Sequence, residues 1–341
     1  MMEERYSRQV RFTPIGKKGQ ENLRKSHVLI IGAGALGASS AEMLARAGVG
    51  EISILDRDYV DWSNLQRQTL YTEQDVQEAL PKAIAAKRAL KAINRMITIH
   101  SYVMDATPEK IEPLLPSVDI ILDATDNFET RFMMNDLAVK HKIPWIYGAC
   151  VGSYGMTYTV IPDETPCFHC LMNQFQPNNQ TETCDTVGII SPTVQIVTAE
   201  QVAETLKYLV GAKEQMRKEV FSFDVWKNEY VMLKVNKLKR TDCPTCGTKV
   251  FPYLQQKHLT KTEALCGRNT VQIRPPKPIE RNLSKLSELF TSLEYKVRLN
   301  PFLLSVELEK YRIVAFKDGR VFIHGTNDIT EAKTVYSQYF A

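Results

Sequence analysis

The stretch SHVLIIGAGALGASSAEMLARAGVGEISILDRDYVDWSNLQRQ, residues 26–68, constrains the fold more than any other part of the chain. Val28 to Ile31 is a short apolar run with β-branched residues, which favours a buried strand. It ends at Gly32-Ala33-Gly34-Ala35-Leu36-Gly37, a G-x-G-x-x-G turn. Gly32 and Gly34 permit a tight turn and the close approach of a phosphate to the backbone, and Gly37 lets a helix pack close to the sheet. The pattern predicts a helix from Leu36 to Ala47, ended by Gly48, with its first-turn N–H groups and dipole aimed at that phosphate. Ile52, Ile54 and Leu55 predict a second strand that delivers Asp56, where a carboxylate accepts hydrogen bonds from ribose hydroxyls. A nucleotide is implied, without its identity.

The chain has 341 residues, enough for one large domain and a small one. Hydrophobic residues make up 44% and charged residues 24%, the balance of an ordinary globular protein. A net charge of +4 is small for this length, so neither a nucleic acid nor an anionic membrane is expected as a partner. The charged N-terminus and the absence of a long apolar run predict a cytoplasmic protein.

Beyond Asp56, the run Asp58, Asp61, Asn64, Leu65, Arg67, Gln68 concentrates side chains that can hold phosphate, ribose or a metal-bound water. The helix predicted from Leu80 to Ile93 has Pro81 in its first turn and a buried stripe of Ala83, Ala86, Leu90 and Ile93. Lys82 is the cation of that helix nearest the strand ends. Val118 to Ala124 predicts another buried strand, running into Asp123-Ala124-Thr125-Asp126-Asn127. Asp126 stands there either as a magnesium ligand, at the strand ends where open α/β sheets bind ligands, or as the cap of the helix from Phe128 to His141. From Tyr154 to Val160 the alternation predicts a longer antiparallel strand. On composition alone, Arg5 to Gln9 is a solvated arm.

Of seven cysteines, four form two C-x-x-C knuckles, Cys167/Cys170 and Cys243/Cys246. Four thiolates suit a closed tetrahedral structural zinc site joining two distant parts of one domain; redox pairs or free core thiols are the alternatives. His169 is a bystander inside the first knuckle. Cys184, after the polar run Asn173 to Thr183, is either an accessible reactive thiol or an inert small residue. Residues 1–250 are expected to form the nucleotide-binding domain and 251–341 a small α+β module with strands at 270–274, 302–308, 311–316 and 320–324 and helices at 283–293 and 329–339.

Arg5-Tyr6-Ser7-Arg8-Gln9, the glycine turn, Asp56-Arg57-Asp58, Ser63-Asn64-Leu65-Gln66-Arg67-Gln68, Pro81-Lys82, Asp123-Ala124-Thr125-Asp126-Asn127 and both knuckles occur in that order. In this the chain resembles the bacterial sulfur-carrier-protein adenylyltransferases of the ThiF/MoeB type, relatives of the ubiquitin-activating enzymes. The resemblance implies a Rossmann-like sheet whose parallel half is continued by antiparallel strands, with structural zinc. It also implies ATP-dependent adenylylation of the C-terminal glycine of a small ubiquitin-like carrier, ThiS-like or MoaD-like, with release of pyrophosphate, in thiamine or molybdopterin biosynthesis. In family terms Gly32, Gly34 and Gly37 cradle ATP, Asp56 holds the ribose, and Asn64, Arg67 and Gln68 line the nucleotide site. Lys82 meets the developing charge, Asp126 holds magnesium, and Arg8 is supplied by the neighbouring subunit of a homodimer. Cys184 resembles the cysteine that links to the activated carrier, with a sulfur donor such as a cysteine desulfurase. Two departures stand out: Glu78-Ala79-Leu80 has no glycine before Pro81-Lys82, and the tail is not a rhodanese domain. The glycine turn and Asp56 alone would also serve an NAD-dependent oxidoreductase, and a non-catalytic carrier-binding scaffold is the third reading.

Overall fold

The computed structural model describes residues 2–173, 187–255, 262–265, 269–275 and 279–340. Cys184 and Cys266 lie outside the described residues. A one-turn helix at Met2–Arg5 and two further helices, α1 (Ser7–Arg11) and α2 (Gly16–Lys25), precede the stretch on which the fold is built. The chain divides into two compact units, the first drawn mainly from residues up to 256 and the second mainly from 257 onward.

In the first unit, the apolar run after Ser26 becomes β1 (His27–Ile31), buried at every position. The helix after the turn, α3 (Ala35–Ala47), ends where Gly48 takes a left-handed φ of 83°. Next come β2 (Glu51–Asp56), α4 (Lys82–Ile93), β3 (Thr98–Val103), β4 (Ile120–Asp123), α5 (Phe128–His141) and β5 (Trp145–Val151). After β5 come β6 (Tyr154–Val160), the short α6 (Phe168–Met172), α7 (Ser191–Val210), β7 (Val220–Asp224) and β8 (Glu229–Leu233). The eight strands form one sheet in the order β3-β2-β1-β4-β5-β6-β7-β8. Pairing is parallel from β3 to β5 and antiparallel from β5 to β8. The strand order reverses direction beside β1, between β2 and β4, and there the strand ends open a crevice for a ligand.

The central parallel strands β1 and β4 are buried at every position because both their faces are covered, whereas the edge strand β3 is only partly buried. Leu29, Ile31, Ile121 and Trp145 join Met134 and Leu137 of α5 in a core that also contains Phe168 and the buried cysteines. The helix expected from Leu80 begins instead at Lys82, because Pro81 holds an extended ψ of 137° at the N-cap. Its ring fixes φ and removes an N–H that the first turn does not need.

At the amino ends of these strands His27 is buried, with Nε2 2.8 Å from Ser53 Oγ and Nδ1 3.7 Å from Glu51. Burial pushes its pKa below the ordinary 6.5, against the pull of the Glu51 carboxylate; His100 and Asp119 also face it. The unfolded chain therefore binds the extra proton first. Stability from this site is full above 6.5 and is lost as pH falls through that value toward the lower folded pKa. Urea midpoints at about pH 7.5 and about pH 5.5 should fall further for the native chain than for His27→Gln. Equal falls would refute this assignment.

In the second unit, β9 (Thr262–Leu265), β10 (Thr270–Ile273), β11 (Lys296–Leu299), β12 (Leu303–Glu307), β13 (Arg312–Phe316) and β14 (Val321–His324) form an antiparallel sheet. Its order is β11-β12-β13-β14-β10-β9. Two helices, α8 (Leu283–Ser292) and α9 (Ile329–Phe340), contribute Phe290, Ala332 and Val335 to its core. The strands at β10, β12, β13 and β14 follow the apolar alternation of the sequence, whereas β9 and β11 were not expected. The strand β11 is Lys-Val-Arg-Leu with no buried residue, so apolar periodicity could not reveal it.

Candidate functional site

Gly32 has φ of 101°, and a Cβ there would sit 2.3 Å from the Ala124 carbonyl oxygen. A Cβ on Gly37 would lie 2.0 Å from the Gly32 carbonyl oxygen. The first and third glycines are thus required by the protein's own backbone. Gly34 differs: the nearest atom to its missing Cβ is Gln68 Nε2, at 3.9 Å. That gap, the helix N-terminus with no side-chain cap at Gly34, and the buried Gln68 Oε1 without a hydrogen-bond partner make a cradle for an anion that also carries hydrogen-bond donors. A nucleoside triphosphate has both.

Asp56 at the end of β2 accepts the Ala33 N–H at 2.6 Å and the Asp58 N–H at 2.7 Å, bracing the glycine turn. A carboxylate has about four acceptor positions, so two remain for a ligand's hydroxyls. Asn64 is 4% exposed and accepts the Asp61 N–H through Oδ1 in a reciprocal cap of the one-turn helix Trp62–Asn64. Arg67 donates to the Ser63 carbonyl at 2.8 Å.

Lys82 is almost fully buried, and its Nζ lies 2.8 Å from Asp58 Oδ2. The Lys82 N–H also donates to the Asp58 carbonyl. Tyr71 connects this pair to the turn, its hydroxyl donating to the Ala33 carbonyl at 2.6 Å and lying 3.3 Å from that of Lys82. Burial first, then the charges of Asp56, Asp75 and Asp58, hold the Tyr71 pKa well above 10, so it remains a donor.

Asp123 ends β4 with no exposure and is paired with Arg131 at 2.9 Å. The Asp126 side chain is exposed. It does not cap α5: Asn127 does, accepting the Thr130 N–H at 2.8 Å. Arg8 lies on α1 and is exposed. Sequence reasoning singled out Asp58 within a polar run but assigned no partner to it, and it missed Tyr71 and Arg131. Each acts across the fold, so spacing along the chain carries no sign of them.

The Sγ atoms of Cys167, Cys170, Cys243 and Cys246 all lie within 4.8 Å of one another. Cys167 is 3.6 Å from Cys243 and Cys170 is 3.5 Å from Cys246, far longer than the ~2.05 Å of a disulfide. A Zn–S bond of about 2.3 Å puts the sulfurs of a tetrahedron about 3.8 Å apart, so the donor set fits zinc. α5 supports both knuckles. Asn135 accepts the Phe168 N–H, and Asp136 accepts the Thr245 hydroxyl at 2.5 Å and the Tyr253 N–H at 2.8 Å. A Cβ on Gly247 would lie 2.2 Å from the Thr241 carbonyl oxygen, so the second knuckle turns tightly only with glycine there. His169 is outside the four-thiol group.

A family model described as the ThiF family matches residues 6–245. The chain belongs to the ThiF family. It is similar to the sulfur carrier protein ThiS adenylyltransferase of Bacillus subtilis (strain 168), 51% identical over 98% of each chain. It is also similar to the molybdopterin-synthase adenylyltransferase of Escherichia coli (strain K12), at 33% identity over 71% of this chain and 96% of the relative. Among solved structures, E. coli MccB with MccA-N7isoASN shares the fold, with a TM-score of 0.61 and 21% identity over 71% of this chain and 75% of MccB. The ThiF-family match spans the glycine turn, the Asn64–Gln68 run, the first knuckle and Cys243 of the second. Among the described residues, no helix is long and apolar enough to cross a membrane.

Proposed function

We propose that this chain transfers AMP from ATP to the C-terminal carboxylate of a small ubiquitin-like sulfur-carrier protein, releasing pyrophosphate. The observation that carries the reading is the convergence of Gly34, the buried Gln68 and the Asp56-braced turn at the ends of the parallel strands, in a chain of the ThiF family. Full-length likeness to the Bacillus subtilis enzyme supports a ThiS-like carrier and a place in thiamine biosynthesis ahead of a MoaD-like one.

The carboxylate of the carrier attacks the α-phosphorus, and the bond to the β-phosphate oxygen breaks. Negative charge gathers on phosphoryl oxygens, so fixed cations supply most of the stabilisation. Gly34 lets the backbone approach the phosphates, Gly32 and Gly37 shape the turn of the cradle that presents it, and Asp56 accepts from the ribose. Asn64, Arg67 and Gln68 bind the nucleotide, and Lys82 leaves Asp58 to meet the developing charge. Asp126 would hold the magnesium that accompanies ATP, and that ion would neutralise phosphate charge. Arg8 completes the site from a second copy, making the enzyme a homodimer. The four thiolates would hold structural zinc and tie the two knuckles together beside α5.

Cys184 links to the activated carrier in the later sulfur step, its thiolate attacking the acyl carbon and displacing AMP from the acyl-adenylate, with a sulfur donor such as a cysteine desulfurase as the further partner. Cys184→Ala should leave pyrophosphate exchange within about twofold of native and abolish thiocarboxylate formation. Loss of exchange in a folded Cys184→Ala protein would contradict that role.

The direct test is ATP–pyrophosphate exchange with the purified carrier. Exchange that depends on the carrier's terminal glycine supports the reading, and none with any ubiquitin-like carrier from folded, zinc-loaded protein would sink it. Tight NAD binding without magnesium would favour the oxidoreductase instead.

A further inference from the structure

Arg131 does more than neutralise Asp123. Its Nε donates to Asp123 Oδ2 at 2.9 Å, while Nη2 reaches the carbonyls of Thr125 at 2.6 Å and Gly148 at 3.1 Å. The aromatic rings of Phe128 and Tyr147 flank the guanidinium, with centroids 5.7 and 5.1 Å away. The other carboxylate oxygen of Asp123 accepts from the Thr125 N–H at 2.9 Å and from its hydroxyl at 2.7 Å. Thr125 is therefore held at its N–H, its hydroxyl and its carbonyl. That carbonyl shares a planar peptide unit with the nitrogen of Asp126, so fixing one fixes the other. On the far side, Asn127 is locked by its bond to the Thr130 N–H. Asp126, with an exposed side chain, stands between two fixed residues.

A buried ion pair adds little net stability over apolar residues of the same volume. A planar fork that grips one carboxylate and two carbonyls does something an apolar pair cannot: it sets the path of a loop. We propose that Arg131 is a positioning residue that, through Asp123 and Thr125, holds the Asp126 carboxylate in place for the divalent cation bound with ATP. The inference rests on the reading of Asp126 as a ligand of that cation. Arg131 does not touch the nucleotide; it acts through the loop.

The test is Mn2+ binding to the full-length, zinc-loaded protein with a non-hydrolysable ATP analogue, followed by loss of the free Mn2+ EPR signal. Arg131→Lys keeps the charge beside Asp123 but cannot grip both carbonyls, and should raise the Mn2+ dissociation constant about tenfold. Affinity for the analogue without metal should stay unchanged, which a general loss of structure would not allow. Thr125→Val removes only the hydroxyl bond, so it remains informative if Arg131→Lys does not fold; it should shift the constant in the same direction by a smaller factor. Asp126→Asn should weaken Mn2+ binding, and adding Arg131→Lys to it should weaken it no further, because the two act through one ligand. Native Mn2+ affinity in folded Arg131→Lys or Thr125→Val, with Asp126→Asn impaired, would overturn the inference alone. Native affinity in Asp126→Asn would overturn it together with the reading of Asp126.

Discussion

Replacing Lys82 with methionine should lower carrier-dependent pyrophosphate exchange by about 10²- to 10³-fold, the usual cost of removing one preorganised group at developing oxyanion charge. The substitution also has a folding cost. Asp58 loses its 2.8 Å cationic partner, and its largely buried carboxylate keeps the Tyr59 N–H bond but not the lysine's opposing charge. Breaking such a pair from one side costs roughly 3–5 kcal/mol. The two effects separate in the double variant Asp58→Asn with Lys82→Met, which removes both charges; it should regain stability in urea melts while exchange stays low. If the double variant also regains exchange, or if folded Lys82→Met exchanges within about threefold of native, Lys82 does not meet the reacting phosphates. Asp58 matters to this prediction because it fixes the lysine in place before ATP arrives. Binding of ATP exchanges one anionic partner for another instead of burying a bare cation.

Cys243→Ser should release zinc and melt the first unit. Binding of a structural zinc ion by four thiolates is worth on the order of 10 kcal/mol and is part of the folding free energy. In a unit of this size each kcal/mol lost lowers the melting temperature by roughly 2–4 °C, so losing even half of that gives a fall above about 10 °C. The knuckles are far apart in sequence, yet both hang on α5 through Asn135 and Asp136, so the damage should spread into the core around Phe168 and Trp145. Metal content by mass spectrometry and calorimetric melting check this together. One zinc per chain retained in Cys243→Ser, or an unchanged melt after metal loss, would remove the structural role.

Much of the first unit was legible in the chain. The apolar runs at Val28–Ile31 and Val118–Ala124 read as buried strands because strands covered on both faces carry no polar alternation. The glycine spacing marked the turn, and the switch to alternation at Tyr154 marked where the sheet turns antiparallel. Less of the second unit could be read: β9 and β11 are edge strands, and the exposed β11 carries no apolar stripe. The start of α4 was misjudged by two residues, since Pro81 serves equally as first residue or as cap. At Asp126 the sequence favours a metal ligand but leaves capping open, and only the observed bond from Thr130 to Asn127 removes the cap.

The sequence by itself determined which chemical groups this protein has available and their order, and with them its family: a glycine turn, an acid at the end of the second strand, an Asn-Leu-Gln-Arg-Gln run, a Pro-Lys and two thiol knuckles. Those are local signals, set by backbone conformation and by spacing within an element. The tertiary structure alone decided how the groups are held: Asp56 bracing Ala33, Asp58 holding Lys82, Tyr71 tying the turn to α4, and Arg131 gripping the loop before Asp126. These partners come from separate elements and meet only when the sheet has formed. A hydrogen bond between residues of different elements, from six positions apart for Arg131 and Thr125 to 38 for Tyr71 and Ala33, leaves no periodic trace in the chain.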